Sequence, residues 1–316
     1  MPVRNGENYL AAALESALGQ SMGDLRVIIS DNASEDATEE IARRFVATDA
    51  RVEYHRQARN IGAAANFNFV LDRADGRYFR WSAHDDVLGP EYLRLCTERL
   101  DADRALAVCH TLTGCIDGQG DPDGTYDDEL ALDDPSASHR FYRTLWTDHF
   151  TEIWGLMPLA VARRAGPMQG YVGADRGYLS ALVLLGRVGY VPEYQFFRRN
   201  HGSCYCRSVM TMAERRAWFA PHRRGPASRE LLSKLRHYAG MISRAPIPAA
   251  EKAACARAVA AWATIRTLER TRGRQTHRPA LETVRQAVGS PRGAVPGRAR
   301  VLAGAAAVPA GGRLSP

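Results

Sequence analysis

Arg80-Trp81-Ser82-Ala83-His84-Asp85-Asp86 is the stretch on which the reading of this 316-residue chain turns. Tyr78, Phe79 and Trp81 predict an apolar strand over 77–83 that runs straight into two adjacent carboxylates, with Pro90 and a helical pattern behind them. Two ionised carboxylates side by side repel each other, so an ordinary surface loop gains nothing from the pair. At the carboxyl end of a buried strand they suit a divalent cation that faces a phosphate group. The plainer alternative makes Asp86 the cap of the helix beginning near Pro90, a common task for aspartate. On this stretch alone both readings stand.

Upstream, Leu10, Leu14, Ala17 and Leu18 recur at helical spacing between Glu7 and Gln20, and Gly19 marks the stop. The β-branched run 25–30 ends in Asp31-Asn32-Ala33-Ser34, a strand whose carboxyl end carries polar groups. Asp36 and Glu39 have capping-box spacing for a helix through Phe45. The run 51–56 alternates as a strand, and Asn60-Ile61-Gly62 leads into a helix with Phe67, Val70 and Leu71 on one face, broken by Gly76. Strand and helix alternating in this way indicate a parallel, doubly wound α/β sheet with ligands at the strands' carboxyl ends.

Downstream, helical spacing covers 138–146, and the apolar segment 153–158 is expected to pack near the sheet. Gly173-Ala174-Asp175-Arg176 precedes an apolar helix over 177–185. Short strands are expected at 187–190 and 195–199, ending in Asn200-His201-Gly202, and further helices at 212–219, 228–242 and 249–270. Beyond Gly273 the chain is rich in Arg, Pro, Gly and Ala without periodicity, and 273–316 is expected to be disordered.

Bulk properties narrow the function classes. The chain is 45% hydrophobic and 24% charged, ordinary for a globular protein, with a net charge of +7. Much of the arginine excess lies in the later helices and tail, so specific nucleic-acid recognition is not expected. The six cysteines show no CxxC pairing; Cys204 and Cys206 are too close to bridge each other and lack a second ligand pair for zinc. Reduced thiols and a cytoplasmic location follow. No run approaches the roughly 20 apolar residues of a membrane span, and no signal peptide is present. Peripheral contact with a membrane stays open. There is no Walker motif, and Gly118 with Gly120 lacks the helix and third glycine of a dinucleotide loop. The acidic run 117–129 fails as a calcium loop, because aligning Gly124 puts Leu130 where a bidentate glutamate belongs.

The ordered set of motifs resembles family-2 glycosyltransferases of the GT-A fold. Pro2-Val3-Arg4-Asn5-Gly6-Glu7, Ser30-Asp31-Asn32-Ala33-Ser34-Glu35-Asp36, Asn60-Ile61-Gly62 with Asn66, and His84-Asp85-Asp86 come in that order. Gly173-Ala174-Asp175-Arg176, Leu185-Gly186, Val191-Pro192-Glu193 and Phe197-Arg198-Arg199-Asn200-His201 follow. Each motif is weak alone; the series covers 1–205. The resemblance implies a GT-A, Rossmann-like, mostly parallel sheet flanked by helices in a catalytic domain over 1–205. A helical C-terminal extension over 206–272 and the tail 273–316 complete the expected domain plan.

The same resemblance implies an inverting, metal-dependent transfer of a sugar from a UDP- or dTDP-type nucleotide-diphosphate sugar to an acceptor hydroxyl. Pro2, Arg4, Asn5 and Glu7 would lie at the nucleoside, Asp31 would accept hydrogen bonds from the base, and Arg59 and Asn60 would meet base or diphosphate. Asp85 would face the ribose or the metal, while Asp86 and His201 would hold Mg2+ or Mn2+. For His201 a plain surface-loop histidine beside Gly202 is the alternative. Asp175 matches the general base; it also suits a helix N-cap, and Asp148 and Glu152 stand in reserve.

Three positions depart from the family pattern. His84 stands where a carboxylate is usual, and Arg4 where an aromatic residue often stacks on the base. The strand that normally precedes the Pro2–Glu7 segment is almost absent, since Met1 falls inside it, and a late-assigned start or a truncation is the expectation. A nucleotidyltransferase would want a glycine-rich basic loop near the amino end, which is missing. A degenerate nucleotide-sugar binder without turnover is the non-enzyme alternative. The absence of membrane spans and of a Gln-x-x-Arg-Trp motif argues against a processive synthase. High Ala and Arg content points to a bacterial source, where such enzymes decorate surface polysaccharides or secondary metabolites.

Overall fold

The computed structural model describes residues 1–126, 130–147, 150–202, 210–222 and 227–272. Met1–Val259 forms one compact unit, and the described part of the second, Ala260–Pro316, is helical. The expected tail 273–316, Cys204, Cys206 and Asp148 lie outside the described residues.

The first half alternates as its periodicity requires: β1 (Pro2–Val3), α1 (Leu10–Leu18), β2 (Val27–Asp31), α2 (Thr38–Thr48), β3 (Val52–Arg56) and α3 (Ala63–Arg73). The three strands form a parallel sheet in the order β1-β2-β3, in register Val3↔Asp31 and Asp31↔Arg56. All of β2 is buried, as a parallel strand covered on both faces must be. Leu10, Leu14, Val27, Ile29, Ala42 and Val52 pack into one core with Met1 and Val3. Although β1 is short, its ladder begins at the first residue. The Met1 amino group donates to Ile28 O at 2.7 Å, and Met1 O accepts from Ser30 N at 2.9 Å.

The chain then runs through β4 (Tyr78–Phe79), β5 (Val87–Leu88), α4 (Tyr92–Ala102), β6 (Leu106–Ile116), β7 (Pro122–Tyr126) and α5 (Ala137–Trp146). A 3-10 turn (Glu152–Trp154), β8 (Met157–Pro158), α6 (Leu159–Ala165), α7 (Ala174–Leu185) and β9 (Arg187–Arg199) follow. β4 pairs antiparallel with β8, while β5-β9-β6-β7 form a four-stranded sheet in which β6 and β9 are parallel. The expected α/β class is observed. The later helices appear as α8 (Met212–Phe219), α9 (Ala227–Arg244) and α10 (Ala249–Arg272). Among the described residues no helix is long and apolar enough to cross a membrane.

Four local expectations change. The strand expected over 77–83 ends at Phe79, because the next antiparallel partner position, Leu156, has its amide and carbonyl taken by Cys109 of β6. The two short strands at 187–190 and 195–199 are one strand, joined through a register shift. Val191 pairs with Thr111 and Tyr194 with Leu112, so Pro192-Glu193 bulges out of the ladder where a proline costs no ladder bond. β6 was not anticipated; its Cys109, His110, Thr111 and Thr113 look polar but are buried in the sheet. The Asp36–Glu39 capping box does not form. Asp36 accepts from Thr38 N, while Glu39 pairs with Arg43 and Arg56.

Candidate active site

The irregular segment after β4 is fixed by the groups behind it. Trp81 is fully buried and donates Nε1–H to Phe67 O at 3.1 Å. Its ring meets Phe79, Phe67 and Tyr178 edge-on, with Tyr178 at 4.5 Å. Tyr178 lies on α7 one turn after Asp175, so this aromatic cluster joins the helix of the expected base to the segment between β4 and β5 that bears the acid pair. Arg80 stacks on Tyr92 and donates Nε–H to Trp154 O.

Asp85 and Asp86 both meet the end of β9. Asp85 Oδ2 lies 3.0 Å from His201 Nε2, and Asp86 Oδ1 accepts the Arg199 amide at 2.9 Å. Burial opposes ionisation of Asp85, but the hydrogen bond from His201 and the charges of His84 and His201 hold its carboxyl below the usual range. Asp86 goes the other way. Burial, followed by the charge of Asp85, pushes it up to about 8 against the Arg199 amide, Arg198 and Arg80. Two adjacent acids, one half-buried and one buried, resist ionising together unless a cation lies close by.

Arg199 and Tyr9 were not foreseen as parts of this corner. The Arg199 guanidinium is buried, donating to Asp85 O at 2.9 Å and to Asp117 O in the β6–β7 turn at 3.1 Å. It lies 4.8 Å over the Tyr9 ring, which in turn packs 4.6 Å from the His201 ring. The sequence signal for Arg199 was its place two residues before His201; for Tyr9 there was none.

The Pro2–Glu7 loop is fastened to residues 34–38. Asn5 N donates to Ser34 Oγ, Asn5 Oδ1 accepts from Glu35 N, and Arg4 pairs with Glu35 at 3.3 Å. Gly6 N donates to Thr38 Oγ1 at 2.7 Å. Glu7 N donates to Asp36 Oδ2, and Glu7 Oε2 accepts from Ala37 N at the start of α2. A Cβ on Gly6 would lie 2.7 Å from Val3 Cγ2 and 2.9 Å from His84 Cδ2, so His84 stands against this loop. Pro2 is buried in β1.

Asp31 is fully buried and accepts from Ser34 N at 2.8 Å, Tyr54 Oη at 2.7 Å and Arg56 Nη1 at 3.0 Å. Its carboxylate thereby ties the end of β2 to β3 and to the turn after β2. Asn60 Oδ1 accepts from Asn32 Nδ2 and Gly62 N, and Arg59 beside it is exposed. Asp175 stands in the first turn of α7, where Oδ1 accepts the Arg176 amide at 2.9 Å and burial raises its carboxyl above the usual range. The N-cap position itself is Gly173, in the left-handed region at φ 82°. The reserve candidate Glu152 is buried, accepting from Tyr190 Oη at 2.9 Å and Thr151 N at 3.0 Å.

No three His, Cys, Asp or Glu side chains gather to hold a metal among the described residues. A Mg2+-type site completed by substrate phosphates needs only one or two protein carboxylates. The adjacent acid pair, with His201 beside it, fits that mode.

Comparison with known proteins gives a family for the first part of the chain and a shared fold. The Glycosyl transferase family 2 model matches residues 1–156. Chondroitin synthase of Escherichia coli is 35% identical over 121 residues, covering 38% of this chain and 17% of that protein. An uncharacterized glycosyltransferase of Rickettsia typhi (strain ATCC VR-144 / Wilmington) is 33% identical over 90 residues, or 28% of this chain and 27% of its own. The chain thus spans about a quarter or less of the length of these curated relatives. S. aureus TarS 1-349, solved in complex with UDP-GlcNAc, shares the fold at a TM-score of 0.64 and 13% identity, covering 91% of this chain and 78% of that one. On these grounds residues 1–156, just under half of the chain, are identified as a glycosyl transferase family 2 segment.

Proposed function

We propose that the protein transfers a sugar from a UDP- or dTDP-type nucleotide-diphosphate sugar to an acceptor hydroxyl, with inversion, using Mg2+ or Mn2+. The observation that carries this reading is the Asp85–Asp86 pair, the second of them buried, held by the end of β9 and His201 in a chain that matches family 2. Asp86 and His201 would hold the cation, which when bound supplies charge that neutralises the departing diphosphate. Asp85, tied to His201, orients that histidine and faces the ribose or metal. Arg59 and Asn60 lie on the loop assigned to base or diphosphate. Pro2, Arg4, Asn5, Glu7 and Asp31 shape the nucleoside side, chiefly by holding its loops together.

Asp175 acts as the general base. A carboxylate with a raised proton affinity, in the first turn of a helix joined to the acid pair through Trp81 and Tyr178, can take the proton of an attacking hydroxyl. Residues 1–205 would carry catalysis and 206–272 a helical extension, working in a bacterial cytoplasm with peripheral contact to the membrane where the acceptor is lipid-linked. The test is a panel of nucleotide sugars assayed for hydrolysis and transfer with Mn2+, repeated with Asp86→Ala and Asp175→Asn. Full activity in both variants would sink the assignment.

A second reading, a nucleotide-sugar binder without turnover, is favoured by His84, which presses against Gly6 where a carboxylate would otherwise stand. It predicts UDP binding that ignores metal, and no turnover with any sugar donor.

A further inference from the structure

The helical extension reaches the proposed base. α9 packs against α7, and its Lys234 lies with Nζ 5.3 Å over the centre of the Tyr171 ring. Tyr171 is buried, and its carbonyl accepts from Ala174 N at 3.1 Å, forming the turn that opens α7 and sets Asp175 in its first turn. The Tyr171 hydroxyl is held 2.7 Å from His237 Nδ1, one turn along α9 from Lys234. A Cβ at Gly177 would run into the Tyr171 hydroxyl and stand 3.5 Å from His237 Nδ1. The helix that presents Asp175 therefore has a glycine where Tyr171 and His237 stand against it.

Lys234 is itself fixed. Its ammonium pairs with Glu230 at 3.0 Å, and the other Glu230 oxygen takes Arg216 Nε of α8 at 2.6 Å. The Lys234 and Glu230 side chains are 14% and 11% exposed, so this chain of two cations and one anion carries one unit of excess positive charge into a sheltered place. Charge in such surroundings acts over longer distances than on an open surface, because water screens it less.

We propose that Lys234 is a positioning residue for Asp175: through Tyr171 it fixes the turn that places this carboxylate, and it brings a sheltered positive charge to the helix that carries it. The inference rests on the reading of Asp175 as the base. The charged and titratable groups around Asp175 are Arg176 on its own helix and Lys234, His237 and Tyr238 on α9, with Glu230 and Arg216 behind Lys234. Burial holds His237 down to about 4 and Tyr238 up to about 12, so neither carries charge near neutrality. Arg176 and Lys234 remain as the cations that oppose the burial of Asp175.

The experiment measures kcat/KM against pH for Mn2+-dependent hydrolysis of a UDP-sugar, with water as acceptor. It compares the full chain with Lys234→Met, Lys234→Arg, Glu230→Gln and Asp175→Asn. The expected result is an acid limb displaced upward by about one pH unit in Lys234→Met and restored in Lys234→Arg. Glu230→Gln, which leaves the cations unopposed, moves the limb the other way and keeps the test open should Lys234→Met fail to fold. An unmoved limb in Lys234→Met or Glu230→Gln, with Asp175→Asn inactive, overturns the role of Lys234 and leaves the base intact. An active Asp175→Asn overturns the base itself, and this inference with it.

Discussion

Around the first sheet, the polar side chains that resemble nucleotide contacts are bonded to one another, whereas around α7 the key carboxylate has few direct partners and is governed by burial and nearby charge. Asn5, Glu7 and Asp31 each hold two or more protein hydrogen bonds, and Arg4 is paired with Glu35. Asp175 accepts the amide of the next residue, and burial raises its carboxyl above the usual range. The difference separates two kinds of preorganisation. One side is a prebuilt cradle whose shape resists change; the other is a reactive group whose proton affinity is tuned. Substitutions on the first side should appear mainly as stability, and on the second mainly as rate.

The largest expected effect tests the second half of that contrast. Asp175→Asn should lower kcat about 10²- to 10⁴-fold, the usual contribution of a general base, while UDP affinity measured by calorimetry stays within a few-fold. A parallel loss of UDP affinity would show that Asp175 belongs to the cradle instead. Trp81→Ala removes the side chain that joins the two sides and should cost about 3–5 kcal/mol in denaturant unfolding. A loss below about 1 kcal/mol would mean that the halves are held together elsewhere.

Away from the site, His110 offers a pH test. Burial, with the Arg80 charge adding to it, pushes its imidazole down to about 3, between Tyr92 Oη at 2.9 Å and Thr113 Oγ1 at 3.4 Å. The unfolded chain binds this proton near pH 6.5 and the folded chain only near 3, so stability is present above about 6.5 and is lost as pH falls. His110→Gln should flatten the fall in melting temperature between pH 7 and 4, as followed by circular dichroism. An equally steep fall in the variant would assign the acid sensitivity to other groups. The smallest effect belongs to the cradle: Glu7→Ala should cost about 1 kcal/mol, typical of a helix-start cap, with kcat unchanged.

Much of the architecture was legible because local periodicity is strong: the alternation through α3, the acid pair and the later helices all fall where the sequence put them. β6 escaped because its polar-looking residues are buried by elements elsewhere in the chain, with β9 alongside and Tyr92 and Thr151 against its side chains. The same holds for Arg199, which reaches Asp85 O across a separation of 114 residues, and for Tyr9, whose ring meets Arg199 and His201. Asp31 and Glu7 were legible as polar residues at loop ends. What the sequence could not tell is that their hydrogen bonds are taken up by Tyr54, Arg56 and the start of α2, because that depends on how the loops meet.

The central claim is that the Asp85–Asp86 corner binds a nucleotide diphosphate through a divalent cation. Its most direct test is calorimetric titration of UDP into the protein with and without Mn2+, repeated with Asp86→Ala. The account predicts that Mn2+ tightens UDP binding at least tenfold, and that this gain disappears in the variant. Equal affinity with and without Mn2+, unchanged in Asp86→Ala, would contradict it.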